Sequence, residues 1–196
     1  MGRIFYILGK SATGKDHIYR ELLQEKDLRL FSLILYTTRP MRKGEQDGRE
    51  YFFVDEARLE QFRQEGRIIE DRRYETVCGP WVYFTADDGQ TDLKTKNYLG
   101  IGTLESFQKL AAYFGKEVLV PVYIESEDRL RLERATRREA KQSVPNYDEM
   151  CRRFLADGED FSEEKLKQAG ITKRFPNNGT LEECISEIKK YIRGTL

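Results

Sequence analysis

Apolar residues along this chain fall into short continuous blocks, separated by longer stretches where they recur every third or fourth position. The first block, Arg3 to Leu8 with Ile4-Phe5-Tyr6-Ile7-Leu8 unbroken, shows no polar alternation and predicts a strand buried on both faces. Lys15 to Glu25 places Ile18, Leu22 and Leu23 on one stripe, which predicts a helix. A second block, Phe31 to Tyr36, predicts a second strand and runs into a polar, glycine-punctuated segment ending at Val54 that reads as a turn between two strands. Further helices are expected over Asp55 to Gly66, with Leu59 and Phe62 on one face, and from about Leu104 to Phe114. Asn97 to Thr103 reads as a third strand, and the strongly apolar run Glu117 to Ile124 as a buried parallel strand. A helical span from Glu127 to Glu139 and a last helix ending near Ile192 complete an α/β pattern.

Composition narrows the class. A chain of 196 residues with 39% hydrophobic content suits a single globular domain with room for a mobile sub-domain. Its 34 basic and 34 acidic residues cancel, so no global field favours nucleic acid or an anionic membrane, and any anion site must be local. Cys78, Cys151 and Cys184 are odd in number and lack C-x-x-C spacing, which argues against a disulfide framework or a zinc site and for a reducing cytoplasm. No stretch approaches the roughly 20 apolar residues that span a bilayer, and the start of the chain lacks a basic segment followed by a long apolar run. A soluble cytoplasmic protein is expected.

The chemistry begins directly after the first strand. Gly9-Lys10-Ser11-Ala12-Thr13-Gly14-Lys15-Asp16 has the spacing G-x-x-x-x-G-K, a loop whose backbone N–H groups turn inward at a helix N-terminus and cradle polyphosphate. Lys15 supplies a mobile ammonium for the β- and γ-phosphates. Asp16 stands where Ser or Thr usually joins the magnesium shell; its carboxylate would meet Mg²⁺ directly or through water, or would favour the helix N-terminus. Further on, Arg39, Arg42 and Tyr51 would hold a monophosphate, with a solvated basic turn as the alternative. Arg129, Arg131, Arg134, Arg137 and Arg138 crowd one helical span, and Arg134, Arg137 and Arg138 share a face. Such crowding suits either an arriving anion or a solvated helix balanced by Glu127, Glu133 and Glu139. Thr180 and Glu183 form a capping box, and His17, the single histidine, reads as a helix-surface residue.

The run Thr37-Thr38-Arg39-x-x-Arg42-x-Gly44-Glu45-x-x-Gly48-x-x-Tyr51-x-Phe53-Val54, with the phosphate loop ahead of it, resembles the GMP-binding signature of guanylate kinases. The likeness is strong to about residue 70 and weaker beyond. It implies a P-loop kinase fold: a central parallel sheet flanked by helices (1–35, 97–126 and 170–196), an inserted nucleotide-binding sub-domain (about 36–96) and an arginine-rich lid (about 127–160). It implies ATP and Mg²⁺ as cofactors, phosphoryl transfer to GMP or dGMP, Glu70 reading guanine N1 and N2, Tyr83 touching phosphate and Thr85 donating to the base oxygen. Catalytic roles fall to Lys15, Arg134, Arg138 and Arg153, and backbone near Asn177 borders the adenine. Trp81 and Phe84, after Cys78-Gly79-Pro80, read as packing residues. The chain departs from the family at Leu35, where a serine that helps read guanine is expected, and at Gly100 and Gly102, where acidic residues are expected. Asp16 would restore the lost charge from the loop side. A non-catalytic binding module, or a kinase with another acceptor, are the alternatives these departures raise.

Overall fold

A computed structural model describes residues 1–76 and 79–196; Cys78 lies outside the described residues. Five strands form one parallel sheet in the order β2-β7-β1-β8-β9. These are β1 (Ile4–Leu8), β2 (Leu30–Ser32), β7 (Asn97–Gly102), β8 (Leu119–Glu125) and β9 (Arg174–Pro176). Every residue of β1 is buried, as its unbroken apolar run requires of a central strand. Ile4, Tyr6 and Leu8 point to one face, into a core with Leu104, Phe107 and Leu110 of α3 (Leu104–Phe114). Phe5 and Ile7 point to the other, against Ile18 and Leu22 of α1 (Lys15–Gln24) and Ile185, Ile188 and Ile192 of α7 (Leu181–Thr195). The alternation that a strand imposes thus assigns each β1 side chain to one of two helix layers.

A second sheet, in the order β4-β3-β6-β5, is built from β3 (Tyr36–Thr37), β4 (Phe52–Phe53), β5 (Ile68–Thr76) and β6 (Gly79–Ala86). The block expected as one strand from Phe31 to Tyr36 is therefore divided between the two sheets. The chain leaves the main sheet at Ile34, whose N–H donates to Gln90 Oε1 and whose carbonyl accepts from Gln90 Nε2, each at 3.1 Å. A side chain 56 positions away satisfies the backbone where neither sheet does. The following segment is also not a hairpin, because β3 and β4 pair in parallel, Tyr36 with Phe52 and Thr37 with Phe53. Tyr36, Val82, Phe84 and Ala86 form a small core with Leu59 and Phe62 of α2 (Glu56–Gln64). Phe84 is thus a packing residue, while Trp81 stays half-buried at the rim.

The arginine-rich span is α4 (Asp128–Glu139); α5 (Tyr147–Asp160) and α6 (Glu163–Gln168) return the chain to β9. No helix among the described residues is long and apolar enough to cross a membrane.

Gly100 and Gly102 have a packing explanation. A Cβ on Gly100 would lie 2.6 Å from Tyr6 Cδ2, and one on Gly102 would overlap the Tyr6 hydroxyl and sit 2.7 Å from Ser106 Oγ. Tyr6 fills the room that longer side chains would need, and its hydroxyl hydrogen-bonds Ser106 Oγ at 2.7 Å. Burial pushes the Tyr6 hydroxyl pKa up, so it stays protonated. Gly100→Ala and Gly102→Ala are each expected to lower stability by about 1–3 kcal/mol through overpacking, read from urea midpoints. Gly102→Ala combined with Tyr6→Phe, which removes the obstructing hydroxyl, is expected to recover part of the loss.

Candidate functional site

The end of β1 opens into the glycine loop, and the backbone there adopts conformations that few residues accept. Gly14, the N-cap of α1, has φ 89°, and a Cβ on it would lie 2.7 Å from Asn177 Nδ2. Ala12 takes φ 63° without being glycine, a strained conformation that costs on the order of 1 kcal/mol and concentrates at ligand sites. Thr13 is buried, and its hydroxyl donates to the Lys10 carbonyl at 2.9 Å, pinning the loop from inside. Lys15 Nζ reaches the same carbonyl only at 3.4 Å. Burial pulls the Lys15 pKa below the ordinary lysine value, so a cation sits desolvated with one weak acceptor. Such a group fits an incoming polyanion. Asp16 and His17 are exposed at the start of α1.

One cavity of about 500 Å³ gathers the loop and the arginines of α4. Ala12, Gly14 and Asp16 line it from the loop, Arg134 and Arg138 from α4, and Asn177, Gly179 and Leu181 from the turn before α7. Arg134 is half-anchored, donating from Nη2 to the Asn177 carbonyl at 3.1 Å and from Nη1 to Ser126 Oγ at 3.3 Å. Arg138 is exposed. Asn177 is itself buried; its Nδ2 donates to the Thr13 carbonyl at 2.8 Å, while its Oδ1 has no partner among the described residues. A buried acceptor without a protein partner is a place for a bound water. Among the described residues no cluster of three or more His, Cys, Asp or Glu forms a metal site. Asp16 is the loop's one carboxylate, which fits a magnesium ion carried largely by substrate phosphates and water.

Strand register places a second set of groups. Tyr83 pairs with Thr37 and with Arg72, Thr85 pairs with Glu70, and Phe53 pairs with Thr37. Period-two alternation then puts Thr37, Tyr83, Thr85, Glu70 and Arg72 on one face of the second sheet, opposite the α2 core. A register shift between Ile68 and Glu70 sets this alignment. Arg39 is buried and almost saturated. Its Nε donates to Tyr83 Oη at 3.1 Å, Nη1 to the Pro40 carbonyl at 2.8 Å, and Nη1 and Nη2 to Glu45 at 3.0 and 2.8 Å. The Arg39 hydrogen bonds hold the Glu45 carboxyl below its usual range. The Tyr51 ring lies 5.6 Å from the Arg39 guanidinium carbon. Arg42 is exposed, and its guanidinium has no partner among the described residues.

The guanylate kinase family model matches residues 1–79. A guanylate kinase of Oleidesulfovibrio alaskensis is 30% identical over 203 residues, spanning 100% of this chain and 89% of that protein. The chain belongs to the guanylate kinase family. A guanylate kinase of Nitrosomonas europaea is 41% identical over 70 residues, but that match spans 36% of this chain and 34% of the relative. The likeness is thus densest in the first part of the chain, where the loop and the Arg39 signature lie. In fold, the chain superposes on the crystal structure of guanylate kinase from Anaplasma phagocytophilum with a TM-score of 0.65 at 21% identity, covering 98% of this chain and 85% of that one.

Within this guanylate kinase fold the sequence-derived residues form two groups. Gly9 to Asp16, Asn177, Arg134 and Arg138 meet around the cavity and its loop, while Arg39, Tyr51, Glu70, Tyr83 and Thr85 meet on the second sheet. Arg153 joins neither. It is exposed on α5, its Nε donating to Glu149 Oε1 at 2.6 Å, and hydrogen bonds from Arg152 and Arg153 hold the Glu149 carboxyl down at about 2. Arg72 and Asp157 escaped the sequence reading, as did the partner of Arg131, one of the crowded arginines of α4. Arg72 lies two positions beyond Glu70 on the same strand face, a signal period-two reading carries. The pairing of Arg131 with Asp157 had no local signal, since they meet across α4 and α5.

That pair ties α4 and α5 to the loop. Arg131 is 1% exposed and donates to Asp157 Oδ2 at 2.6 Å, to Asp128 Oδ1 at 2.5 Å and to the Ser11 carbonyl at 3.0 Å. Asp157 Oδ2 also accepts the Ser11 N–H at 2.7 Å. Asp157→Asn is expected to cost roughly 3 kcal/mol, because a buried guanidinium loses its sheltered counterion and Asp128 is exposed. Urea unfolding of Asp157→Asn and of the double variant Arg131→Met/Asp157→Asn checks this: the double variant, with no buried charge, is expected to be the more stable of the two.

Proposed function

We propose that this chain transfers the γ-phosphoryl group of ATP to a guanine nucleoside monophosphate, GMP or dGMP. The observation that carries the reading is the single cavity in which the glycine loop faces Arg134 and Arg138, beside a desolvated Lys15. Phosphoryl transfer needs little covalent chemistry from a protein. It needs in-line placement of donor and acceptor and positive charge around the migrating group.

In this reading the loop amides from Gly9 to Lys15 hold the triphosphate, and Lys15 neutralises its β- and γ-phosphates. Asp16 would help hold Mg²⁺, which would supply charge neutralisation to the donor phosphates. Arg134 and Arg138 stabilise charge on the transferred group from the lid, residues 127–160. Arg153 takes part only by exchanging Glu149 for phosphate. Backbone near Asn177, on the cavity wall, borders the adenine in this reading. The acceptor phosphate lies among Arg39, Arg42, Tyr51 and Tyr83, with Arg39 contributing field and its one remaining N–H. Residues 36–96 act as the acceptor sub-domain and 1–35, 97–126 and 170–196 as the core. A cytoplasmic place is proposed with this reading, as for an enzyme drawing on free nucleotides.

The test is phosphoryl transfer from ATP·Mg²⁺ to GMP, dGMP, AMP, CMP and UMP. GMP-dependent ADP release is expected, abolished in Lys15→Ala. Arg138→Ala is expected to lower kcat by about 10²-fold or more with a smaller change in KM for GMP. Asp16→Asn is expected to raise the Mg²⁺ concentration needed for half-maximal rate; an unchanged Mg²⁺ dependence and turnover would remove Asp16 from the metal shell. Folded protein inert towards all five acceptors would overturn the kinase reading in favour of a binding module.

A further inference from the structure

Arg72 is the buried charge in the acceptor site to which the motifs assign no role. Its Nε donates to Glu70 Oε2 at 3.0 Å and its Nη2 to Glu70 Oε1 at 3.3 Å. Thr85 Oγ1 also donates to Glu70 Oε1, at 2.9 Å. The Glu70 side chain is 0% exposed and that of Arg72 is 9% exposed. A carboxylate engaged in this way does not offer two free oxygens to a base.

The guanidinium is the member of the pair with capacity left. Glu70 takes the side-on edge, Nε and Nη2, which leaves the end-on edge of Nη1 and Nη2 without a partner among the described residues. That edge is a fork of parallel donors, matched by two adjacent acceptors on one ring. Guanine presents such a pair in O6 and N7, whereas adenine sets an amino donor beside N7. Leu35, Gly100 and Gly102 offer no side-chain hydrogen bond, and Tyr6 fills the space at both glycines.

We propose that Arg72, held by Glu70 and Thr85, is the base-specificity determinant of this chain, reading the adjacent O6 and N7 acceptors of a guanine-type base. Glu70 is then a positioning residue for Arg72. This rests on the acceptor being a nucleoside monophosphate.

The experiment is calorimetric binding of GMP, IMP, 7-deaza-GMP and AMP to the wild-type chain and to Arg72→Met, with kcat/KM for each where turnover occurs. IMP, which keeps O6 and N7, is expected to bind wild type nearly as well as GMP. The 7-deaza analogue, which lacks the N7 acceptor, is expected to bind about tenfold more weakly, and AMP more weakly still. In Arg72→Met the ratio of GMP to 7-deaza-GMP is expected to fall towards one. Equal binding of GMP and 7-deaza-GMP to wild type overturns the proposal, and a concurrent tenfold loss for IMP would return base reading to Glu70 at N1 and N2. The wild-type comparison decides even where Arg72→Met fails to fold. Folded wild type binding none of the four nucleotides would overturn the acceptor reading itself, and the proposal with it.

Discussion

The structure depends on β1 being buried on both faces. A strand of five side chains with no exposed member can exist only between two helix layers and two neighbouring strands, and β7, β8, α1, α3 and α7 are arranged to meet that demand. The same constraint fixes where the chain can do chemistry. Backbone leaving the centre of a parallel sheet emerges between helix layers at its C-terminal edge, the crevice where open α/β sheets bind ligands. The loop, the Asn177 turn and the first residue of α4's approach, Ser126, all follow C-terminal strand ends. Tyr6 shows how tightly the constraint reaches: its ring claims the volume over two residues of β7, so the neighbouring strand must be glycine there.

Charge is managed before any ligand arrives. Arg39 is paired with Glu45 and Tyr83, Arg131 with Asp157 and Asp128, and Arg72 with Glu70 along one edge of its guanidinium. Each pair keeps a guanidinium buried without the penalty of an isolated charge, and each fixes a planar group that would otherwise swing through many rotamers. Lys15, Arg42 and Arg138 are the contrasting cases, with weak or no acceptors among the described residues. A site organised this way combines fixed cations that set shape with under-committed cations that await an anion. The Arg131–Asp157 link also couples α4 and α5 to the Ser11 backbone, so these helices and the loop are not independent elements.

The second sheet obeys a separate rule. Its α2 face is apolar and its other face carries Thr37, Tyr83, Thr85, Glu70 and Arg72. An antiparallel pair with one solvated or ligand-facing side reads as alternation, and β6 does so from Val82 to Ala86. In β5 the register shift between Ile68 and Glu70 interrupts the count ahead of Glu70, which hides which sheet face Glu70 and Arg72 share until pairing with β6 is known.

The sequence by itself determined the elements whose signal is local: the doubly buried β1, the loop whose glycines and lysine stand at fixed spacing, the amphipathic helices, and the α/β class. The run from Thr37 to Val54 carried the family likeness, although its residue types alone left a phosphate grip and a solvated basic turn both open. Tertiary structure decided what depends on partners distant in the chain. Gln90 divides the block from Phe31 to Tyr36 between two sheets, β4 pairs in parallel with β3 after a segment legible only as a turn between two strands, and Arg153 is spent on Glu149 while Arg131 finds Asp157. The physical reason is the same in each case. Hydrophobic period and turn chemistry act over a few residues, whereas backbone satisfaction at a strand break and charge compensation in a core are settled by whichever group the fold brings within 3 Å or so.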